Sequence, residues 1–327
     1  MDFALSEEQA ELAATVRSLL EKRADSAAVR AASTSESGHD EALWATLCEQ
    51  IGVAALAVPE EYDGVGASFF ETAVVLEELG RSLAPSPLLA TTIAAEALLA
   101  GGTEDAKQRL LPRIAAGEIA TLVTGAAPVL DGDRASIVLA VIGDELVELE
   151  GAVPTWTESM DQSIRLARLD LTGASTVRLG DGTSAGARAE LVAGASVAAL
   201  AVGLADRALR MTVDYSKERV QFGRAIGSFQ ALKHRMAEVF ARTEMARSAS
   251  WAASYALAEG ADDADFLTHA AASYAIETAQ LAASECVQLH GGIAITWEHD
   301  AHLVFKRAHA LGQLSGAPHR HRAAVAL

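Results

Sequence analysis

A chain of 327 residues is long enough to bury a substantial core, with room for one to three domains. Its formal net charge of -18 argues against nucleic acid or an anionic membrane surface as a partner. Its only two cysteines, Cys48 and Cys286, stand far apart and without metal-ligand company, so neither a disulfide framework nor a metal site is expected, and a reducing cytoplasm fits.

The opening MDFALSEEQAEL lacks a basic region followed by an apolar core and does not read as a secretory signal. Ser6 followed by Gln9 makes a capping-box pattern, and Leu12, Val16, Leu19 and Leu20 form a helical stripe running to about Ala24. Residues 27–40 are polar and turn-rich. A helix resumes over 41–51, around Leu43 and Leu47. Pro59, Gly64 and Gly66 punctuate a loop, and 69–79 is an amphipathic helix with Gly80 as its stop. Apolar helices over 87–100 and 104–116 complete an all-helical domain, 1–116.

The texture changes at Gly117. The runs TLVTG, SIVLAVIG, ELVELEG and TVRLG, separated by Gly and Asp turns, predict a small β domain over 117–187. From Arg188 the pattern is helical again, with helices over 190–218, 228–260, 263–290 and 298–311 forming a third domain, 188–327. The uncharged run Leu191 to Ala205 is shorter than the roughly 20 residues of a membrane span and reads as a buried helix. His299, His302, His309, His319 and His321 crowd towards the end without ligand-spaced company, which predicts a solvated, partly interfacial set. The class is α+β, mainly α.

Tyr215 to His234, YSKERVQFGRAIGSFQALKH, is where helical periodicity, a basic cluster and a glycine-marked turn coincide. The long helix should end near Phe222, and Ser228 can cap the next one. Lys217, Arg219 and Arg224 gather positive charge beside glycines that permit close backbone approach, which suits a phosphate-bearing ligand. The same arginines would also serve as solvated helix-end residues facing the negative end of the dipole.

The wording of RVQFGRAIGSFQALKHRMAE resembles a signature of the acyl-CoA dehydrogenase family. VPEEYDGVGASFFETAVVLEELGRSLAPSPL is similar to that family's N-terminal helical segment, and QLHGGIAITWEHDAHLVFKRA to its C-terminal signature. The resemblance implies an N-terminal helical domain, a central β domain and a C-terminal four-helix bundle, and α,β-desaturation of an acyl-CoA thioester with FAD at a subunit interface. It further implies that Arg219, Gln221 and Phe222, with Gln288, Gly291 and Gly292, serve the ADP half of a neighbouring subunit's flavin. An arginine and two amides suit a pyrophosphate, although the glycines also read as a helix cap and Phe222 as a packing residue.

Two departures from the family pattern stand out. Gapless matching puts Ser315 where most members carry the catalytic glutamate, and Ala193 where a minority do, so neither position offers a carboxylate. Glu190, one turn before Ala193, is the fallback base, though it also reads as a first-turn glutamate favoured by the helix dipole. The middle domain has TGAAPVLDGDRASIVLAV in place of the family's acidic-Pro-Gly-Ser flavin stretch, and nothing around Trp156 in PTWTES marks it as a flavin-stacking residue. The ending LGQLSGAPHRHRAAVAL resembles the degenerate subunit of heterotetrameric steroid side-chain acyl-CoA dehydrogenases, which implies a homologous partner subunit. The alternatives are a self-sufficient homo-oligomeric dehydrogenase, a flavin-free helical scaffold on the same fold, and a related flavin oxidase or monooxygenase.

Overall fold

The computed structural model describes residues 4–325; the start of MDFALSEEQAEL and the outer limits of the expected first and third domains fall outside them. Backbone packing gathers the described residues into two units, one built from Glu8–Val75 and Ala84–Ala193, the other from residues 4–7, Leu76–Leu83 and 194–325.

The first unit begins with α1 (Glu7–Arg23), α2 (Ser26–Thr34) and α3 (Glu41–Thr46), the last running into a π-turn, Leu47–Ile51. Helix α2 falls where the sequence suggested only polar turns. Its N-cap Asp25 accepts from Ala28 N, and Val29 and Ala32 give it a short buried face. Helix α4 (Phe69–Ser82) starts on a capping box, in which Ser68 N and Oγ both donate to Glu71 Oε2 at 2.9 and 2.6 Å. Helices α5 (Leu88–Gly101) and α6 (Glu104–Ala115) follow.

The four expected β runs all fall in one sheet, of order β1-β3-β4-β7 (Ala120–Val123, Ile137–Ile142, Glu145–Glu150, Ser175–Asp181). A second sheet, β2-β6-β5 (Val129–Leu130, Leu166–Asp170, Val153–Thr157), has no such sequence signal. Its edge strand β5 is largely exposed and carries Pro154, which an edge tolerates. Leu98, Leu110, Ile114, Ile137, Leu139 and Leu146 form the core shared by α5, α6 and the first sheet.

Helix α7 (Gly182–Glu218) starts eight residues before the expected position. By length and composition it could cross a membrane, but 78% of its apolar window is buried within the protein. In the second unit α7 lies against the end of α4. Gly80 does not stop α4; it allows contact, since a Cβ there would sit 2.1 Å from Leu200 O, and one at Gly203 would sit 1.8 Å from Glu77 O. Arg81 pairs with Glu77, Glu78 and Asp206 around this crossing. Then come the two-stranded β8–β9 (Val220–Gln221, Arg224–Ala225), α8 (Gln230–Glu259), α9 (Ala264–His290), α10 (Ala301–Leu314) and α11 (Pro318–Ala324). Ser228 does not cap α8: its hydroxyl donates to Ala225 O at 2.7 Å, and Phe229 holds the N-cap position.

Replacing Gly203 with alanine should lower stability by about 1–3 kcal/mol or more, because the new methyl overlaps a backbone carbonyl that cannot yield. Gly186→Ala, also in α7 but with only Val141 near at 3.9 Å, should raise it by about 0.5–1 kcal/mol. Thermal melts of the two variants test the contrast.

Candidate functional site

Helix α7 does not run to Phe222. It closes with Arg219 N donating to Tyr215 O at 2.8 Å, and the chain then makes a hairpin with Gln221 opposite Arg224. The two central residues, Phe222 (φ 53) and Gly223 (φ 76), both lie in the left-handed region, as a two-residue hairpin turn requires. Glycine adopts this conformation freely, whereas a bulky residue there is strained.

Phe222 is 92% exposed. Its ring meets Phe229 edge-on at 6.2 Å, and the Arg224 guanidinium covers Phe229 at 4.0 Å. Lys217 is engaged with Asp214 at 3.0 Å. The exposed Arg219 side chain has no hydrogen-bond or ion-pair partner among the described residues. Gln221, also exposed, donates from Nε2 to Val220 O at 2.8 Å.

The second segment leaves the end of α9. Gln288 is exposed, and Gly291 takes φ 65, ψ -141 beyond the last helical turn. A Cβ built on Gly291 or Gly292 would meet nothing within 4 Å, so the backbone here is open to an approaching ligand. Ile295 and Trp297 follow, 77% and 63% exposed.

The two segments share a root. Tyr215, one turn before Arg219, stacks on His290 at 4.4 Å, and His290 in turn meets His299 at 4.5 Å. His290 Nδ1–H donates to Cys286 O at 2.7 Å. Burial pushes its pKa down; the Cys286 carbonyl opposes the shift and His299 adds to it. Arg219, Gln221 and Phe222 thus grow from one side of a ring stack, and Gln288, Gly291 and Gly292 from the other. Nothing in the sequence marks this stack.

Two observations bear on the base positions. Glu190 is exposed and lies eight residues inside α7, outside the first turn where the helix dipole would favour it. Ser315 is not isolated: His321 Nε2 lies 3.4 Å from its Oγ. His321 and His269 are buried, so the histidines are not uniformly a solvated set; of those named, only His319 is exposed.

In the β sheets, Trp156 is half exposed on β5, with the Arg165 guanidinium 5.4 Å from its ring. Asp133 holds Arg165 from Oδ2, 3.0 Å from Nε. The neighbouring buried Asp131 is pushed up to about 8 by desolvation and by the charge of Asp133, against the opposing effect of Arg165.

Comparison with known proteins agrees with this architecture. The family of the acyl-CoA dehydrogenase N-terminal domain matches residues 6–118, and that of the acyl-CoA dehydrogenase C-terminal domain matches residues 174–326. The chain is 45% identical over 316 residues to the acyl-CoA dehydrogenase IpdE2 of Mycolicibacterium smegmatis, covering 96% of both chains. It is likewise 45% identical to IpdE2 of Mycobacterium tuberculosis, covering 95% of this chain and 94% of that one. A solved steroid ACAD, Tcur3481-Tcur3483, superposes with a TM-score of 0.88 at 28% identity, covering 98% of this chain and 96% of its own. The chain belongs to the acyl-CoA dehydrogenase family, whose cofactor is FAD.

Two pH effects follow. Because His290 is buried neutral, the unfolded chain takes up its proton first, so stability should fall as pH drops below about 6.5, the ordinary histidine value. Melting temperatures of His290→Phe across pH 5–8 should show a shallower acid decline than the parent's. Asp131 has the opposite sign: its folded pKa is raised, so the unfolded carboxyl ionises first and stability declines as pH rises from the ordinary carboxylate range towards about 8. Asp131→Asn, tolerated at φ 52, should raise the melting temperature near pH 8 and flatten that decline.

Proposed function

We propose that this chain is one subunit of a hetero-oligomeric acyl-CoA dehydrogenase in the cytoplasm. In this reading it completes the FAD site of a homologous, catalytic partner with Arg219, Gln221, Phe222, Gln288, Gly291 and Gly292. The observation that carries it is Phe222: a large apolar ring, 92% exposed, held at positive φ at the tip of a hairpin. Strain and exposure together destabilise an isolated chain and are explained by a ligand or subunit that covers the ring.

The donor set around it fits the diphosphate of FAD. Arg219 is permanently charged and uncommitted among the described residues, Gln288 presents a second exposed polar group, and Gly291 with Gly292 leaves backbone open. Bound there, FAD would supply the hydride acceptor for desaturating the thioester between its α and β carbons. Arg219 would neutralise phosphate charge, Phe222 would offer the ADP half an apolar ring, and the exposed apolar residues after Gly292 would exclude water.

Three features support the partner-dependent form. Ser315 and Ala193 supply no carboxylate, the flavin stretch of the middle domain is altered, and Arg165, tied to Asp133, already lies over Trp156. The divisions 1–116, 117–187 and 188–327 then have separate tasks, with the first and third building the scaffold and the second no longer cradling a flavin of its own. A steroid-derived acyl-CoA is the substrate class we favour, by likeness to the solved steroid ACAD.

Variants of the pair coexpressed with its homologous partner test the assignment. Arg219→Ala should lower FAD retention about tenfold or more without dissociating the subunits. Phe222→Gly, which relieves the positive φ, should leave stability unchanged or raise it by up to about 1 kcal/mol while still weakening FAD. Full flavin occupancy in both variants contradicts the assignment.

A further inference from the structure

The second unit contains another constellation, which the flavin reading leaves unused. Helix α11 packs on α9, and between them His321 and His269 meet Nδ1 to Nδ1 at 2.9 Å. Both rings are buried, 4% and 9% exposed. At the far ends, His269 Nε2 lies 3.3 Å from Oδ1 of the exposed Asp265, and His321 Nε2 lies 3.4 Å from Ser315 Oγ.

The carboxylate sets the direction of the whole chain. Asp265 can only accept, so His269 presents Nε2–H to it and a lone pair at Nδ1. His321 must then donate from Nδ1, which leaves its Nε2 as the acceptor for the Ser315 hydroxyl. Serine, imidazole, imidazole and carboxylate form a single line of donors. A nucleophile within reach of a base that a third group orients is the general sign of covalent catalysis, and such contacts are often looser before substrate binds.

Ser315 is half-buried at the end of α10 and is followed by Gly316 at φ 108. Two glycines bring backbone against the imidazole: a Cβ on Gly316 would lie 3.7 Å from His321 Nε2, and one on Gly194 would lie 3.9 Å from Cε1 and 2.9 Å from Thr268. Among the described residues the Gly316 N–H donates no hydrogen bond, leaving a backbone donor directly after the serine for a developing oxyanion.

We propose that Ser315 is an acylatable nucleophile, activated by His321 and oriented through His269 by Asp265, with acyl-CoA thioesters as its substrate class. Ser315 Oγ adds to the thioester carbonyl carbon as its proton passes to His321 Nε2. The C–S bond then breaks, the departing sulfur takes that proton and leaves as the CoA thiol, and an acyl-serine ester remains. Water, giving a proton to His321, cleaves the ester to a carboxylic acid, and the proton returns to Ser315. The balance is thioester plus water to acid plus thiol, with no oxidant. This activity is independent of the flavin reading.

The test uses the full chain with a fluorophosphonate probe and, separately, butyryl-CoA. Intact-mass and peptide analysis should place one phosphonate on Ser315, and thiol release from butyryl-CoA should accompany it. Ser315→Ala should abolish both, and His321→Gln should slow both by about a hundredfold or more. Asp265→Asn, at an exposed position, should keep the fold and slow both, because it weakens the group that orients His269. Labelling and thiol release are read without added flavin, and FAD retention plays no part in either, so the two assignments fail separately. No adduct at Ser315, or labelling indifferent to both His321→Gln and Asp265→Asn, overturns the proposal.

Discussion

Two glycines and a cluster of charges fix where α7 lies, and the site follows from α7. At Gly80 and Gly203 the backbones of α4 and α7 touch where no side chain fits. Around that contact Arg81 joins Glu77, Glu78 and Asp206, while Arg247 donates to Glu77 Oε1 at 2.9 Å and Trp251 to Glu77 Oε2 at 3.3 Å. Buried ion pairs add little net stability over apolar packing, but removing one partner strands the other at about 3–5 kcal/mol. Further along α7, Arg207 pairs with Asp300 at 3.1 Å and holds the segment after Gly292 to the same helix.

From that frame the exposed end of α7 gains its chemistry. A chain of net charge -18 presents, at one turn, Arg219 with no partner among the described residues and an aromatic ring almost wholly in solvent. The stack of Tyr215, His290 and His299 keeps that turn and the Gly291–Gly292 backbone in register. Strain at Phe222 is sustained because the hairpin is anchored at both ends, by Arg219 N on Tyr215 O and by Ile226 N on Arg219 O. The anchoring is local to this unit, so it persists whether or not anything covers the ring.

Much of this was legible in the sequence, and the misses have physical causes. Most helix positions follow from periodicity, α2 and α11 excepted, and the four strands of the first sheet follow from their apolar runs, because burial dictates both patterns. Strands β2, β5 and β6 were invisible because their sheet is short and exposed and carries Pro154 and Arg168 on its strands. In the sequence Gly80 reads as a stop because its partner, Leu200, is remote along the chain. The six residues of the flavin assignment were named from motif likeness. What no motif could give was their common root in Tyr215 and His290, or the approach of His321 to Ser315, since those contacts join different helices.

The number of flavins each chain holds separates a lending subunit from a self-sufficient enzyme. The decisive measurement is the FAD-to-chain ratio, from the visible spectrum and protein mass of this chain purified alone and then coexpressed with a homologous partner. A lending subunit carries little or no flavin alone and gives one FAD per two chains in the complex. One FAD per chain in the protein purified alone, bleaching on addition of an acyl-CoA, would contradict it and return the search for a catalytic base to this chain.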